Sequence, residues 1–306
     1  RSSSAPTAPP PATVAPDAME SYEPGYAKWD LSAGSYTTNY VTMVVGLGLA
    51  MLVLRKFGSP WSGVAVLPQT LATFCLLAGL AAGFAAMALQ MLANQRDEGL
   101  EMSTAWFHGG RSDWLFPWTF AMVLGPMASA AALNLAIAYV GPGDTWIQVV
   151  KVFGVLVSGV ELVLCCSNVD NTGAASTCWG LLCAVAGCGV ILAKGRDEQM
   201  FALCVGAYVM EIVGYVVCMA LPSVCAHHAR VVDTAAGPLY VRDSGAPQFP
   251  LCSDGFDRFA FIHICSCLSL VLMYFGAGIK ADRDRALEYL EVMRSAYKQQ
   301  PRCCGC

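Results

Sequence analysis

The chain has 306 residues, of which 56% are hydrophobic and only 13% charged, with a formal net charge of −4. A water-soluble domain carries about 25% charged residues, so most of this surface must face something other than water. There is no basic excess to hold nucleic acid, and the 15 cysteines lack the paired C-x2-C spacing of a zinc site.

The first residues, RSSSAPTAPPPATVAP, read as a mature N-terminus left after removal of a targeting peptide. Residues 1–36 are expected to form an extended Pro/Ala-rich segment. Residues 37–280 then hold seven apolar stretches, at 38–54, 66–93, 114–140, 146–166, 178–194, 200–221 and 259–279. Each approaches the roughly 20 residues that an α-helix needs to cross a bilayer. The fold expected is an all-α, polytopic membrane helical bundle of about seven transmembrane helices.

Three of the spans are rich in small residues, at 78–86, 125–132 and 184–189, which let helix backbones approach in lipid. Pro126 lies deep enough in the third to kink it. The connection 222–255 is the one long polar loop. Its Cys225 and Cys252 are a candidate disulfide if that loop faces an oxidising compartment. After Ile279, Ala286, Leu287, Leu290 and Met293 share one helical face. Residues 281–306 are therefore expected to be an amphipathic helix, lying on the membrane surface or on a partner, and a Cys-rich tail. In that tail Cys303, Cys304 and Cys306 stand beside Arg302 as candidate acylation sites.

With seven spans, Arg55, Lys56, Lys151, Lys194, Arg196 and the basic residues of the tail fall on one side. The opposite side has fewer, several of them offset by Asp97, Glu98, Glu101 and Asp113. Positive charge gathers on the inner side. This predicts an N-terminus outside (lumenal) and a C-terminus inside (stromal or cytoplasmic).

Ionisable and polar groups at membrane depth are costly and mark function by default. Those singled out within the predicted spans are Glu161, Glu211, His263, Gln90 and Asn134. Glu161 stands near a helix end, where it could reach water. Glu211 is central, and three roles stay open for it: a protonated carboxyl hydrogen-bonded to a neighbouring helix, a proton site, or a ligand to pigment magnesium. Paired histidines for a b-type haem are missing, because His108, His227 and His228 lie between spans. No phosphate-cradling glycine loop, H-E-x-x-H helix or Ser/His/Asp grouping appears.

The run Arg111-Ser-Asp-Trp-Leu-Phe-Pro at the entry to the third span resembles the third helix of microbial rhodopsins, through Asp113, Trp114 and Leu115. That resemblance implies a seven-helix bundle with an external N-terminus, and an Asp in the position of a Schiff-base counterion. The family attaches retinal to a lysine in the middle of its last helix. Residues 261–279 contain none and Lys280 is at the far end, so covalent retinal is not expected.

The sequence thus points to a non-catalytic multi-pass subunit or scaffold, in contact with lipid and with other membrane-protein subunits. The lost presequence favours an organelle, a plastid thylakoid, over the plasma membrane. There Glu161, Glu211, His263, Gln90 and Asn134 become candidate ligands to chlorophyll or carotenoid. The alternatives are a retinal-free opsin-like sensor or chaperone, and a proton-coupled carrier using Glu211.

Overall fold

The structure is a computed structural model that describes residues 31–58, 66–98, 106, 112–141, 143–169, 172–196, 198, 200–220, 230–234, 237–241 and 258–299. Among these lie seven α-helices: α1 (Ala33–Phe57), α2 (Val66–Asp97), α3 (Leu115–Val140), α4 (Asp144–Ser167), α5 (Ala174–Lys194), α6 (Phe201–Ala220) and α7 (Arg258–Gln299). Six are long and apolar enough to cross a membrane, and α6 is apolar from Phe201 to Val217.

The helices are built inside out. Along α1 the buried residues are Ser35, Asn39, Thr42, Gly46, Ala50 and Val53, at steps of three and four. The outward face carries Val41, Val44, Met51 and Leu52, all at least half exposed. In water that pattern would be unstable, because the apolar side chains would stay hydrated. In lipid it is the stable one: tails cover the apolar face, and small or hydrogen-bonded residues pack within. The chain is an integral, multi-pass helical membrane bundle.

Specific contacts fix the order and sense of the helices. Tyr40 meets Gln90 while Gly46 meets Gly79, so α1 and α2 are antiparallel neighbours. On α3, Pro126 meets Trp179 and Tyr139 lies near Gly195, so α3 and α5 run parallel. Gly180 faces Tyr215 and Gly187 faces Tyr208, which makes α5 and α6 antiparallel. Thr42 bonds the carbonyl of His263 and Lys56 pairs with Asp282, so α7 returns beside α1 in the same direction. The result is a closed ring, α1–α2–α3–α5–α6–α7. Helix α4 stands outside it, packed on α3 with a smaller contact to α5.

Small residues allow the closest approach. A Cβ on Gly46 would sit 2.8 Å from both the Cys75 carbonyl oxygen and the Gly79 Cα. Pro126 lies inside α3, removing the N–H that would meet a carbonyl one turn back. Neighbouring helices supply donors to this region. Trp179 Nε1 donates to the Pro126 carbonyl (3.1 Å) and Ser158 Oγ to that of Val123 (2.7 Å).

The bundle is all-helical, as expected, with two additions. Outside it, the long connection contains an antiparallel hairpin, β1 (Arg230–Thr234) with β2 (Gly237–Val241). Its strands are written in Val231, Val232, Leu239, Tyr240 and Val241, residue types that favour extended backbone. The tail helix is also not separate. The last span continues unbroken into it as the 42-residue α7, about 63 Å long at 1.5 Å per residue. A bilayer's hydrocarbon core is about 30 Å thick, so α7 is about twice as long as an upright crossing needs.

Candidate functional site

A cavity of about 250 Å³ occupies the middle of the ring and is lined by all six ring helices. Helix α4 contributes nothing to it. Much of its wall is small, with Ala78, Ala81, Ala82, Gly125, Ala128 and Gly180. The polar residues are Asn39 and Thr42 from α1, Ser129 from α3, Thr177 from α5, Tyr208, Glu211 and Tyr215 from α6, and His263 and Ser266 from α7.

Most donors in this wall are already used. Thr42 Oγ1 donates to the carbonyls of Thr38 (2.8 Å) and His263 (3.2 Å), and Tyr208 donates to that of Ala132. Asn39 Nδ2 donates to the Ser35 carbonyl (3.2 Å). Ser129 Oγ donates to Gly125 (3.2 Å) and lies 3.3 Å from the Tyr215 hydroxyl. One buried acceptor is left over. Asn39 is 1% exposed and its Oδ1 has no partner. Glu211 faces the hydroxyls of Ser266 and Ser269 across the α6–α7 contact, and Ser269 Oγ does not complete a hydrogen bond. Among the described residues Glu211 has no ion-pair partner.

Two of the five sequence-predicted residues, Glu211 and His263, therefore meet at one cavity. The His263 ring stacks on Phe259, with centroids 6.3 Å apart. The other three lie elsewhere. Gln90 is on the outer surface, where its Oε1 accepts from the Tyr40 hydroxyl at 2.8 Å. Asn134, 2% exposed, lines a second cavity of about 370 Å³ between α2, α3 and α4, with Gln69, Asp144 and Lys151. Its Oδ1 also has no partner.

Glu161 does not reach water, contrary to its apparent place near a helix end. It is fully buried and accepts the backbone N–H groups of Gly173 (3.0 Å) and Ser176 (2.6 Å). Those groups open α5, whose own cap residue, Gly173, offers no side chain. The carboxylate on α4 thus caps the positive end of the next helix. Gly173 makes this possible with a left-handed φ of 86°, where an L side chain would be strained.

At the opposite end Glu198 accepts from Lys280 (2.9 Å) and Arg283 (2.8 Å). Burial raises the Glu198 carboxyl pKa, but the hydrogen bonds and charges of Lys280 and Arg283 outweigh it and hold the group below its ordinary value. Lys280 is only 8% exposed and also reaches Asp284 at 3.3 Å. Asp113 lies exposed in the turn before α3 and does not line the central cavity.

Asn39, Tyr208 and Tyr215 belong to the site but were not singled out in the sequence. The signal was present in spacing: Tyr208, Glu211 and Tyr215 share one face of α6, and Asn39 falls in the polar stripe of α1. Cys225, Cys252, Cys303, Cys304 and Cys306 lie outside the described residues. No group of three or more metal-ligating side chains occurs among the described residues. No family model matches the chain, and neither a curated protein nor a solved structure is similar to it.

Proposed function

We propose that the chain is a non-catalytic subunit of a larger membrane assembly, crossing the bilayer seven times with its N-terminus outside and C-terminus inside. The observation that carries this reading is the second half of α7. Leu287, Tyr289, Leu290, Val292 and Met293 are each more than half exposed there, beyond the length of an upright crossing. Apolar side chains presented on a helix in water call for a protein surface to cover them. Asp284, Arg285, Glu288, Glu291 and Arg294 give the same helix mixed charge. A helix meant for an anionic lipid surface would be Lys/Arg-rich and lie in the interface, so the partner is a protein.

A photosynthetic membrane remains the proposed setting. There Glu211, His263 and Asn134 are the candidate pigment contacts that keep a cavity beside them, while Glu161 and Gln90 are engaged within the fold. The test is gentle extraction from the native membrane, followed by a native gel and an absorption spectrum. Migration in a large complex that is lost on deletion of residues 284–306 supports the reading. A colourless particle near its own 32.4 kDa plus detergent refutes it.

A proton-coupled carrier is the second reading, favoured by the position of Glu211 on the central cavity. It predicts that Glu211→Gln abolishes flux. The opsin-like alternative has less support, since Asp113 stands apart from that cavity.

A further inference from the structure

We infer that the central cavity is a binding site for a small organic ammonium, with Glu211 as its counter-charge. A carboxyl group at bilayer depth without a cationic partner is an expensive feature, and the ring builds a space against it. Two acceptors stand out in that space. Thr42, Asn39, Tyr208 and Ser129 spend their donors on helix carbonyls, while Asn39 Oδ1 and the Glu211 carboxyl remain as acceptors.

A carboxyl group without an ion-pair partner and an unpaired amide oxygen fit a ligand that brings N–H groups and positive charge. An anionic or acceptor-rich ligand would leave these oxygens unmatched. The remaining walls include alanine, glycine, Met122, Ile262, Leu270 and the rings of Phe74 and Tyr208. They suit an apolar body, and ring faces attract a cation. The site lacks the ligand cluster that a divalent ion would need.

The experiment uses the full chain in lipid nanodiscs, with benzylamine as the probe and benzyl alcohol as its neutral isostere. Sodium chloride at matched ionic strength serves as the ionic control. Each is titrated against the thermal-unfolding midpoint. Benzylamine should stabilise saturably, and at least about tenfold more tightly than benzyl alcohol, the ratio expected of one charge-assisted hydrogen bond. Glu211→Gln should remove that preference, and Asn39→Ala should weaken benzylamine binding several-fold. Equal binding of amine and alcohol to the unmodified protein overturns the inference, whether or not the variants fold. So does stabilisation by sodium chloride alone, or an undiminished preference in folded Glu211→Gln.

Discussion

Lys280, the last ionisable residue of the apolar part of α7, places its Nζ 2.9 Å from a Glu198 carboxylate oxygen in the turn between α5 and α6. The same carboxylate binds Arg283 one turn further on, so a single acid anchors α7 where it leaves the bundle. Replacing Glu198 by Gln should lower stability by about 1–3 kcal/mol, because Lys280 stays nearly buried with only Asp284 and the face of Tyr139 for company. Thermal unfolding in detergent checks this. An unchanged midpoint would show that the pair contributes nothing net.

The same group sets a pH dependence. The folded-state pKa of Glu198 is held below its ordinary value of 4.5. Its contribution is therefore fully present above the unfolded value and is lost as pH falls through the depressed folded value. The stability gap between the native chain and Glu198→Gln should be constant near neutrality and close progressively below about pH 4.5, the unfolded value. Midpoints measured for both proteins from neutral to acid pH would reveal a gap that fails to close.

Glu161 offers a test that separates structure from pigment. As the cap of α5 it should cost about 1–3 kcal/mol when changed to Ala, which strands two backbone N–H groups. Gln retains one acceptor and should cost less. If Glu161 acts only as a cap, any native absorption bands keep their positions in Glu161→Gln. A band shift in a variant that remains folded would assign it to a pigment instead.

Helix approach can be tested at two glycines in one helix. Gly46→Ala brings a methyl against backbone atoms of α2 and should destabilise by about 1–3 kcal/mol. Gly48 has nothing within 4 Å of its missing Cβ, so Gly48→Ala should be neutral or stabilise by up to about 1 kcal/mol. Equal effects at the two positions would mean that the α1–α2 contact is looser than described.

The membrane helices were legible because their signal is length and apolarity, which tertiary packing does not alter. All seven predicted stretches fall on helices, and the mismatches are at ends such as Ala33 and Ala174. Small-residue content was a poorer guide, since it does not say which face meets a neighbour. Gly125 and Gly189 have open space where a Cβ would be, while Gly46, outside the richest clusters, makes the closest approach to another helix's backbone. Glu161 and Glu211 look alike in sequence, each one acid in an apolar run. Only the three-dimensional arrangement shows that one meets the start of α5 and the other faces a cavity. The apolar run of the last span stops near Ile279, as expected, but its helix does not. Residues such as Ala286, Leu287 and Glu288 carry it on, all good helix formers in water.

The position of α4 has an electrical consequence. By leaving the ring it lets α3 and α5 stand side by side in the same sense, as α7 and α1 also do. Four of the six ring helices, α1, α3, α5 and α7, then begin at one end of the central cavity and only two, α2 and α6, begin at the other. Their peptide dipoles do not cancel as they would in an evenly alternating bundle. The excess N-terminal ends make one mouth of the cavity positive and the other negative. Arg55 and Lys194, in the last turns of α1 and α5, sit at that negative end, whereas Lys56, Lys280 and Arg283 are matched there by Asp282, Glu198 and Asp284. Arg55 and Lys194, first read as markers of membrane orientation, thus also help neutralise a field that the ring itself generates.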